Sequence, residues 1–194
     1  MKTTVLAAVI GAGMLAASTA AWSQFYLGVA VGQTKFKNAC EGAPSGASCD
    51  DKDSAFKFFA GHRFGGHFAV ELGVSDLGTV EAASESAALN AVDLAALASW
   101  PLGQHFAIHG RLGVYRGEMD VKSRPVAVAF GAQPPSRGWR SGNNSGRTFG
   151  FGASYEPMSN LATRLEWQRF DDLGGNGGPK LDVDVVSLGV LLRF

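Results

Sequence analysis

Apolar residues recur at every second position along most of the chain after residue 24. At the C-terminus this alternation gives one wholly apolar face, made of Val186, Leu188, Val190, Leu192 and Phe194. The opposite face carries Ser187, Gly189, Leu191 and Arg193. Successive side chains of a β-strand point to opposite sides of the sheet, so a repeat of two predicts strands. The chain is therefore predicted to be an all-β protein.

Eight segments are predicted to be strands, and they span residues 25–36, 54–64, 68–78, 89–100, 106–121, 147–156, 161–171 and 182–194. The fourth segment also admits a helix, because the stretch from Ala87 to Ala98 is rich in alanine, the best helix former. A strand is favoured there because its apolar residues share one face that ends at Pro101. That face consists of Val92, Leu94, Ala96, Ala98 and Trp100.

The connections between these segments alternate in length. Short turns are predicted at residues 65–67, 101–105 and 157–160, and long loops at residues 37–53, 79–88, 122–146 and 172–181. The third loop is predicted to extend its hairpin through the alternating Val126, Val128 and Phe130. Short turns at one end and long loops at the other are typical of outer-membrane barrels.

Charged residues on the faces opposite the apolar ones distinguish a membrane barrel from a two-sheet sandwich or a soluble ligand-carrying barrel. In lipid only a closed barrel satisfies every backbone hydrogen bond with strands, so the apolar face is expected to contact lipid. Eight strands of about 10 residues fit the chain, whereas a porin of sixteen strands would not. The predicted fold is an eight-stranded antiparallel up-and-down transmembrane β-barrel.

The N-terminus has the layout of a secretory signal peptide. Lys2 is followed by an uncharged apolar stretch from Thr3 to Ala20, and small residues precede Gln24. Residues 1–23 are predicted to be removed, with cleavage after Ala20 as an alternative, and residues 24–194 to form the barrel domain. A retained membrane anchor is the competing interpretation of this stretch.

Composition excludes several classes of function. Lys and Arg number 17, and Asp and Glu also number 17, so the chain lacks the positive charge of a nucleic-acid-binding protein. Its two cysteines, Cys40 and Cys49, lie in the first long loop, and an oxidising exterior favours a disulfide between them. Metal or redox chemistry is the alternative for this pair, but no histidine lies beside it.

Three segments resemble the OmpA-like family of transmembrane barrels. Residues 160–170 (NLATRLEWQRF) are similar to that family's seventh strand, residues 25–32 (FYLGVAVG) to its first, and residues 186–194 (VSLGVLLRF) to its closing strand. The resemblance implies location in the outer membrane of a Gram-negative bacterium. The prototype also carries a periplasmic peptidoglycan-binding domain, and this sequence stops at Phe194, so cell-wall tethering is not expected.

The resemblance also implies partners. Val190, Leu192 and Phe194 resemble the signal that barrel-assembly machinery recognises during biogenesis. Outer-membrane lipids and lipopolysaccharide are expected around the barrel, the long loops are expected to contact any extracellular ligand, and the protein is expected to be a monomer.

Aromatic residues near strand ends suit the two interfacial girdles of such a barrel, namely Phe64, Phe68, Trp100, Phe106, Tyr155 and Trp167.

The inward-facing charges form the principal candidate site. They are Lys57, Arg63, Glu71, Asp93, Arg111, Arg164 and Glu166. A buried charge without an opposite partner costs several kcal/mol, so these residues are expected to pair in the lumen. One hypothesis is a structural plug of salt bridges, and the other is a gate in which exchange of partners opens a narrow water path.

An enzyme is the alternative class of function. Some small outer-membrane barrels modify lipid A with a nucleophilic serine and a histidine, and Ser75, Ser99 or Ser154 could be such a nucleophile. No local His–Ser motif supports this, and His62, His67, His105 and His109 form no spaced metal-binding cluster. The sequence therefore predicts a non-catalytic protein without metal or cofactor, which serves envelope integrity and surface interactions.

Overall fold

The computed structural model describes residues 24–37, 49–82, 85–123, 141–174 and 181–194. The predicted signal peptide at residues 1–23, Cys40, and the three apolar residues Val126, Val128 and Phe130 lie outside the described residues. What the sequence predicts for these parts stays a prediction.

Nine strands follow one another along the described chain, and they are β1 (Phe25–Lys37), β2 (Cys49–Asp50), β3 (Lys52–Phe64), β4 (Phe68–Ala82), β5 (Glu85–Pro101), β6 (Phe106–Ser123), β7 (Gly142–Met158), β8 (Leu161–Leu173) and β9 (Leu181–Arg193). All pairs between neighbouring strands are antiparallel, and β1 pairs with both β3 and β9, which closes the barrel. The two-residue strand β2 pairs only with the end of β4, so it is not one of the strands that close the wall. The barrel wall thus consists of eight strands, which confirms the predicted fold.

Within the described residues, no helix has the length and apolar character needed to cross a membrane.

The alanine-rich fourth segment is a strand, as the face ending at Pro101 predicted. β5 pairs along its length with β4 and with β6, so that Leu94 lies opposite both Leu72 and Val114. A helix at this place would leave β4 and β6 without a neighbour in the wall. Closure of the barrel, rather than local helix propensity, decides the conformation of these alanines.

The prediction of a long loop at residues 79–88 is wrong. β4 and β5 continue through this stretch, and after an irregularity in the register their pairing resumes with Thr79 opposite Ala88. The apolar side chains of this extension are buried inside the barrel, and they are Leu77, Val80, Ala87 and Leu89. Their burial favours a longer hairpin over a solvated loop. The loop predicted for residues 122–146 is likewise shorter, because β6 ends at Ser123 and β7 begins at Gly142.

The start of β1, the residue Phe194 and the three short turns lie at one end of the barrel, where the Phe194 amide donates to the Phe25 carbonyl at 3.0 Å. Because short turns are periplasmic in such barrels, we call this the periplasmic end and the opposite one the extracellular end. Aliphatic side chains cover the outer wall between them, for example Leu27, Val29, Leu72, Leu94, Leu112, Leu165, Leu188 and Val190. This exposed apolar band is the surface that contacts lipid.

Aromatic side chains mark both edges of the apolar band. At the periplasmic edge they are exposed, and they comprise Phe64, Phe68, Trp100, Phe106 and Tyr155. Trp167 lies toward the extracellular edge, where its ring centroid is 5.2 Å from that of Phe151 and 5.8 Å from that of Phe149. This distribution suits two interfacial girdles.

Candidate functional site in the barrel lumen

Six of the seven predicted inward charges meet in one cluster halfway along the lumen, which we call the charged layer, made of Lys57, Glu71, Asp93, Arg111, Arg164 and Glu166. They come from β3, β4, β5, β6 and β8, so the cluster forms only when these five strands assemble. The register of the wall brings them to a common level. For example, Gly73 lies opposite both Phe59 and Asp93, and its missing side chain leaves room for Asp93 and Lys57.

Arg111 is the centre of the charged layer, and its side chain is fully shielded from solvent. Its Nη2 donates to Asp93 Oδ2 at 2.5 Å, and its Nη1 donates to Glu166 Oε1 at 2.6 Å. The same Nη1 lies 3.3 Å from Glu71 Oε1. One guanidinium therefore joins three carboxylates from three strands, a geometry for which its fixed fork of donors is suited.

Two further cations complete the layer. Lys57 Nζ lies 3.7 Å from Glu71 Oε1, 3.8 Å from Asp93 Oδ1 and 3.7 Å from Glu166 Oε1. Arg164 Nη1 lies 2.7 Å from Glu71 Oε2 and 3.9 Å from Glu166 Oε2. Three cations thus face three carboxylates, and the layer has no net formal charge. Such mutual neutralisation offsets the cost of removing these ions from water.

Three further polar side chains extend the charged layer, and sequence reasoning missed them. Tyr26 donates its hydroxyl hydrogen to Glu71 Oε2 at 3.1 Å, Lys57 donates to Gln168 Oε1 at 2.9 Å, and His109 Nε2 lies 3.0 Å from Glu166 Oε2. The position of His109 in the sequence could have identified it as a lumen residue. His109 precedes Arg111 by two residues, so both point into the lumen. His109 is thus a buried strand histidine that contacts a carboxylate.

Arg63 is not part of the charged layer. It points into the lumen near the periplasmic end, where its Nη2 makes a long contact of 3.4 Å with the Gly66 carbonyl oxygen. Nearby, Arg193 pairs with Glu156 through both carboxylate oxygens. Arg63 therefore belongs to the mouth of the barrel and lies apart from the central ion pairs.

A second layer closes the lumen on the extracellular side, and we call it the apolar layer. Its larger buried side chains are Phe36, Leu77, Val80, Leu89, Tyr115, Met119, Phe170, Leu173, Leu181 and Val183. It shares strands β4, β5, β6 and β8 with the charged layer, and β1 and β9 also contribute to it. On β6, for example, the inward positions read Arg111, then Tyr115, then Met119 toward the extracellular end. The lumen is consequently polar at its middle and apolar above it.

A serine nucleophile is not assembled in the described part of the chain. Ser99 lies directly opposite His109 on the neighbouring strand, and Ser154 and Ser99 both face the periplasmic cavity. Among the described residues, however, no hydrogen bond joins Ser75, Ser99 or Ser154 to a histidine. The same residues contain no group of three His, Cys, Asp or Glu side chains arranged to hold a metal ion.

Two other predicted sites concern the wall and the first loop. Val190, Leu192 and Phe194 all face outward on the closing strand and are about half exposed. Their recognition by the assembly machinery stays a prediction. The disulfide also stays a prediction, because Cys40 lies outside the described residues, while Cys49 pairs with Ala82 in the short ladder between β2 and β4.

The sequence matches the model of a family described as "Outer membrane protein beta-barrel domain", and the match covers residues 4–194. The chain belongs to this family. Membership indicates an outer-membrane location, in agreement with the exposed apolar band of the barrel. No curated protein sequence matches the chain significantly.

Solved outer-membrane proteins share the fold of this family member. The attachment invasion locus protein Ail of Yersinia pestis is 16% identical with a TM-score of 0.56, over 89% of this chain and 99% of that one. Neisserial surface protein A is 15% identical with a TM-score of 0.56, over 88% and 97%. The N-terminal barrel of Pseudomonas aeruginosa OprF is 12% identical with a TM-score of 0.53, over 89% and 98%. At these identities the likeness shows the fold alone.

Proposed function

We propose that the protein is a non-catalytic, non-conducting barrel that contributes to the integrity of the outer membrane and carries surface interactions at its extracellular end. The observation that carries this proposal is the double closure of the lumen. The charged layer fills the middle with neutralised ion pairs, and the apolar layer fills the extracellular half with buried side chains. A barrel filled in this way serves as a scaffold in the membrane.

The apolar layer argues against the alternative of a gate operated by salt bridges. Exchange of ion-pair partners around Arg111 could create space only at the level of the charged layer. Any water path would still have to cross the apolar layer, where Phe170, Leu173 and Val183 have essentially no exposed surface. Tightly packed apolar regions exclude water.

Conductance of the refolded residues 24–194 in a planar bilayer tests this proposal. We expect no discrete openings from the wild-type barrel, and none from Arg164→Gln, because the apolar layer is intact in both. Heat-modifiable migration in a gel establishes beforehand that each barrel has folded. Reproducible single-channel openings of the folded wild type would overturn the non-conducting function and favour a small pore.

Lipopolysaccharide is the lipid partner that we propose for the outer wall. Arg116 and Arg147 lie exposed on neighbouring strands at the extracellular edge of the apolar band, where Arg147 is opposite Val114. Guanidinium groups bind phosphate with paired hydrogen bonds, and lipopolysaccharide presents phosphates at this level of the membrane. We expect the double change Arg116→Gln and Arg147→Gln to weaken co-purification of lipopolysaccharide with the monomeric barrel, whereas Lys122→Gln should have no effect.

Envelope integrity and surface interaction are separable experimentally. A strain that lacks the gene should become more sensitive to detergent, and the wild-type gene should restore resistance. A variant in which a two-residue Asn-Gly turn replaces residues 124–140 keeps both strands β6 and β7, so we expect it to restore resistance as well. Unchanged detergent resistance of the deletion strain would contradict the integrity function.

Export and assembly are part of the same proposal. We expect mass spectrometry of the membrane-inserted protein to show loss of residues 1–23, and a thiol count to show none at Cys40 and Cys49. Removal of Phe194 should lower the amount of inserted barrel, since this residue ends the proposed assembly signal. A change in lipid A acylation on overexpression would instead favour an enzyme.

A further inference from the structure

A cavity of about 110 Å³ opens at the periplasmic end of the lumen. Its rim consists of residues of the short turns and strand ends, including Gly66, Gln104 and His105. Its inner wall is formed by Arg164, at the lower edge of the charged layer, and by Tyr26, which donates to Glu71 of that layer. Because the charged and apolar layers lie above it, the cavity is accessible from the periplasm.

Positive charge dominates this cavity. Three guanidinium groups line it, those of Arg63, Arg164 and Arg193, together with the single carboxylate of Glu156. Glu156 is engaged by Arg193, and Arg164 is engaged by Glu71 of the charged layer. Among the described residues, Arg63 forms no ion pair within 4.0 Å, and it lies near the guanidinium groups of Arg193 and Arg164, which repel it, and the carboxylate of Glu156, which attracts it. The mouth therefore holds one cation in excess.

Two arginine donors in the wall behind the cavity lack acceptors. The Nε atoms of Arg164 and Arg193 are buried, and neither has a hydrogen-bond partner among the described residues. A buried donor without an acceptor is costly, so natural structures leave few of them without a reason. Ser99 and Ser154 add hydroxyl groups to the same wall. The excess positive charge of Arg63 and the hydroxyl groups of the wall suit a negatively charged ligand with oxygen atoms.

We propose that the periplasmic mouth of the barrel binds an oxyanion, a carboxylate or phosphate group carried by a molecule of the periplasm. Arg63 supplies the uncompensated charge and a guanidinium group whose only hydrogen bond in the described residues is the long contact with Gly66, while Arg164 and Arg193 add positive charge to the wall. Guanidinium groups are suited to both ligands, because their planar fork matches two oxygen atoms of either group. The cavity is large enough for such a headgroup, and its open side leaves the rest of the ligand in the periplasm.

The experiment uses residues 24–194 refolded in a maltoside detergent, which contains no phosphate. Sodium phosphate and sodium acetate are titrated separately, each against sodium chloride at matched ionic strength, and the arginine Nε–H signals are followed by NMR. We expect saturable shifts of the Arg164 and Arg193 signals with phosphate, acetate or both, and none with chloride. The two titrations distinguish a phosphate site from a carboxylate site.

Substitution of Arg63 decides whether the shifts come from this cavity. We expect Arg63→Gln to weaken binding about tenfold, a change typical of losing one charged hydrogen-bonding group. Lys35→Gln, at an exposed position on the outer wall near the extracellular end, is the matched control and should leave binding unchanged. Arg63→Met, which also removes the charge, is used if the glutamine variant does not fold.

Three results would overturn the proposal. Shifts that rise linearly without saturation would show that no site exists, as would equal shifts with chloride. Equal affinity of the wild type and a folded Arg63 variant would place the anion elsewhere. The conductance of the barrel does not enter this test, so its outcome is independent of the function proposed above.

Discussion

The charged layer and the apolar layer fill successive levels of one lumen with opposite chemistry. In the charged layer, Arg111 holds three carboxylates that arrive from three other strands. A few residues farther along the same strands, the apolar layer consists of interlocking side chains such as Leu89 and Phe170. The charged layer is stabilised by directional ion pairs that depend on one another, so loss of one partner affects the others. The apolar layer is stabilised by many weak packing contacts, so loss of one side chain removes only its own share.

This difference predicts how strongly a substitution in each layer destabilises the barrel. Loss of one partner in the charged layer leaves buried charges without neutralisation, while loss of one side chain in the apolar layer leaves a void. The following changes measure that contrast, and each is assessed as the free energy of unfolding by urea of residues 24–194 inserted in lipid vesicles.

Arg111→Met should have the largest effect. It removes the cation that neutralises Glu71, Asp93 and Glu166, and breaking a buried ion pair in this way costs about 3–5 kcal/mol. Arg116→Met, on the same strand but exposed on the outer wall, should change stability by less than about 0.5 kcal/mol. Similar decreases in the free energy of unfolding for the two variants would show that the Arg111 ion pairs do not stabilise the barrel.

Leu89→Ala should have the next largest effect, in the apolar layer. The Leu89 side chain is completely buried, and truncation of such a residue costs about 2–4 kcal/mol through lost contacts and the remaining cavity. Leu94→Ala, on the outer face of the same strand, is the control for the loss of the same atoms facing lipid. If Leu89→Ala cost no more than its control, the apolar layer would not be a packed core.

Gly73→Ala tests the space that the wall leaves for the charged layer. An added Cβ would lie 2.7 Å from Asp93 Oδ1 and 2.8 Å from Lys57 Cε, so both groups must move, at a cost of about 1–2 kcal/mol. Gly110→Ala is the matched control because nothing lies within 4 Å of the added atom. That variant should be neutral or slightly stabilised. Equal behaviour of the two glycines would show that the charged layer is loosely packed.

Asp184→Asn should have the smallest effect. This residue lies on β9 beyond the extracellular edge of the apolar band, which Val186 marks. Burial acts to raise the pKa of Asp184, but hydrogen bonds from Arg169 and Lys37 outweigh it and hold this pKa below its usual value. Because the folded-state pKa is depressed, the carboxylate stabilises the barrel above the ordinary aspartate pKa.

The same stabilisation is lost as the pH falls through the folded-state pKa. At pH 7 the variant should therefore be less stable by up to about 1 kcal/mol, as expected for a partly exposed ion pair. The difference between the wild type and the variant should shrink below pH 3.8, the ordinary value for this carboxyl group. A difference that is the same at pH 7 and at pH 3 would contradict the electrostatic origin.

Much of the wall was predictable from the sequence because side-chain alternation is a local property. The alternation from Val186 to Phe194 already predicts which residues face lipid, and the same argument identified six residues of the charged layer from their position on a strand. The loop predicted for residues 79–88 failed for the opposite reason. The sequence predicts a connection there, whereas the hairpin continues because Val80 and Ala87 are buried against side chains of other strands.

The alternation alone predicts an eight-stranded barrel with charges on its inner face, since the period of two specifies each strand and closure satisfies every backbone group in lipid. Which of these charges meet depends on the assembled barrel. Register across the wall brought His109 to Glu166 and separated Arg63 from the charged layer. It also stacked an apolar layer above the ion pairs, because the level that a side chain reaches in the lumen depends on its neighbours across the ladder.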